Sequence, residues 1–301
     1  MLYVKVLCNT NNILSLLGNN HVAEYNPDMS ESGSSRNLPD LDRISILAAT
    51  ILLAYALVRI IKLPSIDIGS QLPGFYFAVQ INVRTAVAVL VAGLTASGAA
   101  WLLHDHPKLK KQSTLPYLLL PALTAWVIGL PLAQMPIDLL WWIAFGLGGA
   151  ILMLVLVAEY IVVDPNDLLH APATVVLTSI SFALFLALVV TLRVAGVRLF
   201  LILPAVAIAM WLVSLRTLHL RLPERWCYLQ AGIIALIIGQ LAAALHYWPL
   251  PPVTYGLVLL GPAYALTSLI NSLMKNIPIH QAIYEPIVVL LIFWGLAVWI
   301  R

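Results

Sequence analysis

The sequence predicts an all-α integral membrane bundle of about nine transmembrane helices, with a small extracytoplasmic β-hairpin between the first two. The first observation is composition, since 61% of the 301 residues are hydrophobic and 10% are charged, a balance far from that of soluble domains. The second is a series of apolar runs after Leu41, most of them close to the roughly 20 residues that a spanning helix needs. The third is a short stretch of alternating residues after the first run. We therefore expect one polytopic transmembrane domain over residues 41–301.

Residues 1–40 have a different composition. The stretch "NNHVAEYNPDMSESGSSRNLPD" is rich in Asn, Ser, Asp and Glu, and such a segment buries too little apolar surface to offset its ordering entropy. The preceding "MLYVKVLCNTNNILSLLG" is interrupted by three Asn residues, which is unlike the core of a signal peptide. We expect a disordered polar N-terminal tail, for which Met29 is an alternative start.

Nine apolar runs predict the helices, and short gaps with Pro, Gly or charge separate them. Eight spans are the alternative, because the last run is short and only "VAGV" joins the fifth to the sixth. The runs lie at 44–61, 83–103, 116–134, 139–163, 171–192, 198–215, 226–247, 254–274 and 285–300.

The segment between the first two runs, at about 65–82, predicts the hairpin. In "FYFAVQI", every second residue is strongly apolar, and a period of two is typical of a strand. The stretch "SIDIG" can pair with it across the turn-forming "QLPG". Unpaired strand edges are excluded from hydrocarbon, so we expect the hairpin on the outer membrane surface.

Basic residues next to the runs favour a cytoplasmic N-terminus. In this orientation nine Lys and Arg residues lie inside and six outside, leaving out Lys5. Arg193 and Arg198 fit this count poorly. Two basic segments, "HPKLKK" and "RTLHLRLPER", are predicted to meet anionic lipid headgroups on the cytoplasmic side. Their cations are Lys108, Lys110, Lys111, Arg216, Arg221 and Arg225.

Glu159 is the acid well inside a predicted span, and an intramembrane carboxylate is a candidate functional group. It lies about 30 Å along the helix from Leu139 at 1.5 Å per residue, near the inner boundary of the hydrocarbon. Tyr160 beside it fits an interfacial aromatic belt. We expect Glu159 to tether the helix to a cation such as Arg216. A ligand or proton site and a solvated side chain are the alternatives.

A second polar set lies in the seventh and eighth runs. His246 stands beside Tyr247 and Trp248, which is typical of an aromatic belt. Polar side chains inside such spans either line a cavity or hydrogen-bond between helices. The candidates for a cavity lining are Gln240, His246, Tyr264 and Asn271.

Several kinds of chemistry lack a signature. No HExxH, GxSxG, GxxxxGK or CxxC motif occurs, so no cofactor is expected and an enzyme is disfavoured without being excluded. His104, Asp105 and His106 are adjacent, but neighbouring helical side chains diverge and the following lysines would oppose a cation. No metal site is expected. The cations do not form one stripe, so we expect no nucleic-acid partner.

Five short segments carry a family resemblance: "IDIGSQLPGFYF", "LLHDHP", "AEYIVVDP", "RVAGVR" and "LHYWPLPP". With these, the chain resembles an uncharacterised bacterial family of multipass membrane proteins, a domain of unknown function. The resemblance implies a helical bundle in the bacterial cytoplasmic (inner) membrane. It implies no activity, since the family has none established.

Three function hypotheses follow. The leading one is a scaffold or accessory component that packs with membrane lipids or other membrane proteins. The alternatives are a small-molecule or lipid transporter and a membrane-embedded enzyme acting on a lipid-like substrate. A deep cavity lined by Glu159 or by the second polar set would favour transport, whereas a solid core would favour the scaffold.

Overall fold

A computed structural model describes residues 41–60, 66–72, 75–81, 83–104, 114–165, 167–222 and 226–300. They lie in one unit, Pro39–Arg301. The tail that the sequence predicts at 1–40 lies outside the described residues. So do four of the cations assigned to lipid headgroups, which are Lys108, Lys110, Lys111 and Arg225.

Helices dominate the described part of the chain. With one exception, their ends differ by three residues or fewer from those that the apolar runs predict. The elements are α1 (Leu41–Ile60), β1 (Ile66–Leu72), β2 (Phe75–Ile81), α2 (Val83–His104), α3 (Leu115–Gln134), α4 (Leu139–Val162), α5 (His170–Val194), α6 (Leu199–Arg221), α7 (Tyr228–His246), α8 (Pro252–Met274), α9 (Ile279–Ala282) and α10 (Tyr284–Trp299).

Eight helices among the described residues are long and apolar enough to cross a membrane, as in a multi-pass membrane protein. They are α2 to α8 and a last span, Ile279–Trp299, that includes α9 and α10. The 20-residue α1 is not among these eight. Whether the chain has eight or nine spans therefore depends on α1.

The two strands lie between α1 and α2 and pair antiparallel. Ile66 is opposite Ile81 at one end of the pair, and Leu72 is opposite Phe75 at the other. The position of this pair on the outer membrane surface stays a prediction.

The buried apolar side chains form two main clusters. The larger one joins α3 to α8 and α10, and the smaller one packs α1 against α2, α3 and α4. Helix α8 lies near the centre, in contact with α5, α6, α7 and α10. Within its most apolar 18-residue window 61% of the residues are buried, against 17% in the corresponding window of the last span. Helix α10 is therefore a peripheral wall that packs mainly on α8.

The exception in helix length is the C-terminal end of α6. The sequence places the residues after Leu215 in a loop, and this is wrong, because the helix continues to Arg221. The extra turns tolerate polar side chains because their groups find partners inside the bundle. The hydroxyl of Thr217 donates to the carbonyl of Val213, and Arg216 is paired with an acid.

Candidate functional site

A buried ion pair joins α4 to α6. Arg216 Nε donates to Glu159 Oε1 at 3.0 Å, and Arg216 Nη2 donates to Glu159 Oε2. The two side chains are 1% and 2% exposed. Planar guanidinium and carboxylate groups match each other in this two-bond geometry, which makes it one of the stronger hydrogen-bonded pairs in proteins. Arg216 is the partner that the sequence suggested for Glu159.

Other side chains close around this pair. The Arg216 Cζ atom lies 5.0 Å from the centre of the Tyr117 ring, within range of a cation–π contact, and Tyr160 packs beside Leu103 and Val163. Because both carboxylate oxygens accept from the arginine and the Glu159 side chain is only 2% exposed, a ligand has little access to the carboxylate. Arg216 does not fit the headgroup role that the sequence assigned to it, since its side chain lies inside the protein. The role of Glu159 as a tether stays a prediction.

A groove opens on the other side of the same end of the bundle, where α8 lies between α5 and α10. Its volume is about 740 Å³, within the range of roughly 300–1,000 Å³ that is usual for small-molecule sites. Residues of α5, α6, α8 and α10, with Lys275 after α8, line it. They are Thr174, Val175, Thr178, Ser179, Phe182, Ala183, Leu186, Arg221, Leu260, Tyr264, Lys275, Val289 and Phe293.

The lining changes from polar to apolar along one face of α5. Thr174, Thr178 and Ser179 lie at the first turns of this helix, and Phe182 and Leu186 follow on the same face. Residues four apart lie above one another on a helix, so this face runs for about 18 Å at 1.5 Å per residue. The groove therefore has a polar end and an apolar end.

The neighbouring helices repeat this gradient. Helix α8 runs opposite to α5, and its apolar Leu260 precedes Tyr264 and Lys275. On α10, Glu285 precedes the apolar Val289 and Phe293. The three helices thus bring their polar residues to the same end.

Hydrogen bonds connect α8 and α10 at the polar end. Glu285 Oε1 accepts from the Tyr264 hydroxyl at 3.0 Å and from the Ser268 hydroxyl at 3.2 Å. Arg221 and Lys275 line the groove there, and neither has a salt bridge among the described residues. This end therefore offers two positive charges together with an acid that is already hydrogen-bonded.

A small cavity lies behind the polar end. It shares Thr178, Arg221 and Tyr264 with the groove and is also lined by Asn271. Its volume of about 10 Å³ is close to that needed for one water molecule. The Asn271 Oδ1 atom is buried and lacks a hydrogen-bond partner among the described residues. Polar lining therefore continues from the groove towards the protein interior.

The structure divides the second polar set that the sequence suggested. Tyr264 and Asn271 lie at the groove and the cavity behind it. Gln240 is exposed on α7, and His246 ends α7 beside Arg193. Helix α7 is not among the helices that form this groove, so the groove brings together two of the four residues, and a cavity shared by all four stays a prediction.

Arg193 has a structural function at the opposite end of the bundle. Its Nη1 donates to the carbonyl of His246 at 2.7 Å, and its Nη2 donates to that of Trp248 at 2.9 Å. Its Cζ lies 5.0 Å from the centre of the Tyr255 ring. Carbonyls at a helix C-terminus lack intrahelical partners and attract a cation, so Arg193 stabilises the end of α7. This explains why it fits a count of loop charges poorly.

Sequence reasoning missed several groove residues. Glu285 was not chosen as a candidate because it is the first residue of a long apolar run. The polar residues before it, such as His280 five positions earlier, were a signal that this end of the run is polar. The repeat of Thr174, Thr178 and Phe182 on one face of α5 was an available signal. It became informative only once α8 was placed beside that face.

Among the described residues, no three His, Cys, Asp or Glu side chains are grouped as metal ligands. His104 ends α2, and its neighbours Asp105 and His106 lie outside the described residues. The expectation concerning metals therefore stays a prediction for that segment.

Residues 63–300 match the family described as "Protein of unknown function (DUF5656)", and the chain belongs to this family. The resemblance to a domain of unknown function is thereby confirmed, while its bacterial origin stays a prediction. No curated protein and no solved structure is detectably similar to the chain.

Proposed function

We propose that this member of the DUF5656 family is an accessory component of the bacterial inner membrane that binds a membrane amphiphile in the groove between α5, α8 and α10. The gradient of the groove lining carries the proposal. A molecule with a polar head and an apolar chain matches a site whose polar residues gather at one end and whose apolar residues follow along about 18 Å of helix.

The rest of the bundle supports an accessory function over a catalytic one. Glu159 is buried and each of its carboxylate oxygens accepts a hydrogen bond from Arg216. A general acid or base needs access to a substrate proton, which a buried ion pair does not provide.

Transport of the same amphiphile is the second candidate. The observation that favours it is the small cavity behind the groove, whose lining includes the polar side chains of Asn271 and Thr217. A carrier needs polar groups along the route of the headgroup, because a polar group in hydrocarbon without a partner is costly.

The test of binding is gentle purification in native-membrane discs, followed by mass spectrometry of the lipids that remain after mild delipidation. We expect wild-type protein to retain lipid. The Ala183→Trp variant places a large ring in the groove and should lose this lipid, because Ala183 is an exposed lining residue. Ala244→Trp, at an exposed position on α7 outside the groove, is the matched control and should retain it.

Equal retention by the Ala183→Trp and wild-type proteins would overturn binding at the groove. The same samples report on the accessory function through co-purifying proteins. A reproducible protein partner supports that function, whereas movement of lipid between leaflets in reconstituted vesicles would favour the carrier instead.

A further inference from the structure

We infer that the groove selects amphiphiles with an anionic headgroup, with Arg221 and Lys275 as the residues that bind it. This inference rests on the proposed function and adds the chemical class of the ligand. Arg221 is the last residue of α6 and Lys275 directly follows α8, so two different helices bring positive charge to the polar end.

These cations are available to a ligand. Lys275 is exposed and Arg221 is partly exposed, and both line the groove without a salt bridge among the described residues. Arg216, five residues before Arg221, shows the opposite case, because its charge is taken up by Glu159. Arg221 lies within hydrogen-bonding reach of the Tyr264 hydroxyl, a neutral group that does not cancel its charge. A guanidinium without a carboxylate partner next to an apolar surface attracts a phosphate or carboxylate, to which it can donate two parallel hydrogen bonds.

Glu285 is the acid that could cancel this charge, and its surroundings limit that effect. Two hydroxyls, those of Tyr264 and Ser268, donate to its Oε1 atom. It also lies in the first turn of α10, where the positive end of the helix dipole stabilises a carboxylate. With two cations and one compensated acid, the described residues at the polar end carry a net positive charge.

The geometry also disfavours zwitterionic lipids. A choline or ethanolamine group adds a cation next to the phosphate, and near Arg221 and Lys275 this second charge is repelled. A headgroup with one negative charge and neutral hydroxyls lacks this penalty. The side of the membrane is compatible, since the basic-residue count favours the cytoplasmic leaflet for this end, where anionic lipids attract such cations.

The experiment measures the retention of two lipids that differ only in their headgroup. Purified protein is incubated with dioleoyl phosphatidylglycerol or dioleoyl phosphatidylcholine at equal concentration, and bound lipid is counted by native mass spectrometry. We expect wild-type protein to prefer phosphatidylglycerol by about tenfold, which corresponds to about 1.4 kcal/mol. The Arg221→Gln/Lys275→Gln variant should bind the two lipids within a factor of about two, since it lacks both cations that attract the anionic headgroup.

The control variant is Arg198→Gln. Arg198 is an exposed cation at the opposite end of α6, and its removal should leave the preference intact. If Arg198→Gln reduced the preference as much as the double variant, a general effect of net charge would replace the inferred site. Equal retention of both lipids by the wild-type protein would overturn the headgroup inference and leave groove binding standing. Retention of neither lipid would overturn groove binding as well.

Discussion

The buried pair between α4 and α6 and the groove between α5, α8 and α10 use the same residue types in opposite ways. Both lie at the end of the bundle where α4, α6 and α8 terminate, and both combine an acid, an arginine and a tyrosine. In the pair, the acid and the arginine bind each other and are closed off from solvent. In the groove, hydroxyls bind the acid, and the arginine has no carboxylate partner among the described residues.

This difference separates stability from binding. A charge in a low-dielectric region is tolerated when a partner compensates it, and its removal then leaves the partner uncompensated. A charge at an open surface contributes little to folding, because solvent screens it, yet it remains able to bind another molecule. The first region should therefore respond to mutation through the folded state and the second through ligand retention.

The largest effect is expected from Glu159→Gln. It leaves the Arg216 guanidinium buried without a counter-charge, and breaking a buried pair in this way costs about 3–5 kcal/mol. Thermal unfolding of the detergent-purified protein, followed by the yield of monodisperse material, measures the loss. Replacing both partners in Glu159→Gln/Arg216→Met should restore most of the stability, since no unpaired charge remains.

An unchanged unfolding temperature in Glu159→Gln would show that the pair does not hold α4 to α6. The buried pair would then not have the stabilising function that distinguishes it from the groove. Lipid retention per folded molecule is expected to stay at the wild-type level in this variant, because Glu159 does not line the groove.

A smaller loss of stability is expected from Gly261→Leu. A Cβ atom at this position would lie 3.2 Å from Leu290 Cδ1 and 3.4 Å from Phe293 Cβ, so a larger side chain forces α10 away from α8. Overpacking of this kind costs about 1–3 kcal/mol. Because Phe293 lines the groove, lipid retention should fall together with the unfolding temperature.

The matched control is Gly232→Leu on α7, where no side-chain or backbone atom of a neighbour lies within 4 Å of the added Cβ. Its stability and lipid retention should match those of the wild-type protein. If Gly261→Leu retained lipid normally, the contact between α8 and α10 would not shape the binding site.

The smallest effect on stability is expected from Arg221→Gln/Lys275→Gln, the variant that removes the cations of the groove. Substitutions at surface positions without buried partners usually change the free energy of unfolding by no more than about 0.5 kcal/mol. Thermal unfolding in a neutral detergent measures this without interference from anionic lipid. A drop comparable to that of Glu159→Gln would mean that these cations support the fold and that the two regions do not differ.

The bundle could be predicted from sequence because long apolar runs leave few options in a membrane, where each backbone group needs a partner within its own helix. The end of α6 could not be predicted in this way. Polar residues such as Arg216 and Thr217 resemble a loop until α4 supplies a carboxylate and the preceding helical turn supplies a carbonyl.

The pairing of Glu159 with Arg216 was accessible because each is an unusual charge with few possible partners. The groove was not accessible, since it depends on which faces of α5, α8 and α10 meet. Residues far apart in the chain, such as Thr174 and Tyr264, which are 90 positions apart, gain meaning only from that packing. Arg193 shows the same limit. Its side chain donates to two backbone carbonyls, but in the sequence it looks the same as an arginine in a solvent-exposed loop.

The peripheral position of α10 has a consequence for the order of assembly in the membrane. A ribosome makes α1 to α8 before α10, and the central cluster around α8 is built mainly from α3 to α8. The Glu159–Arg216 contact can therefore form while the last helix is still being inserted. The groove gains its third wall only when α10 docks on α8, so the binding that we propose for it requires the last helix to be in place.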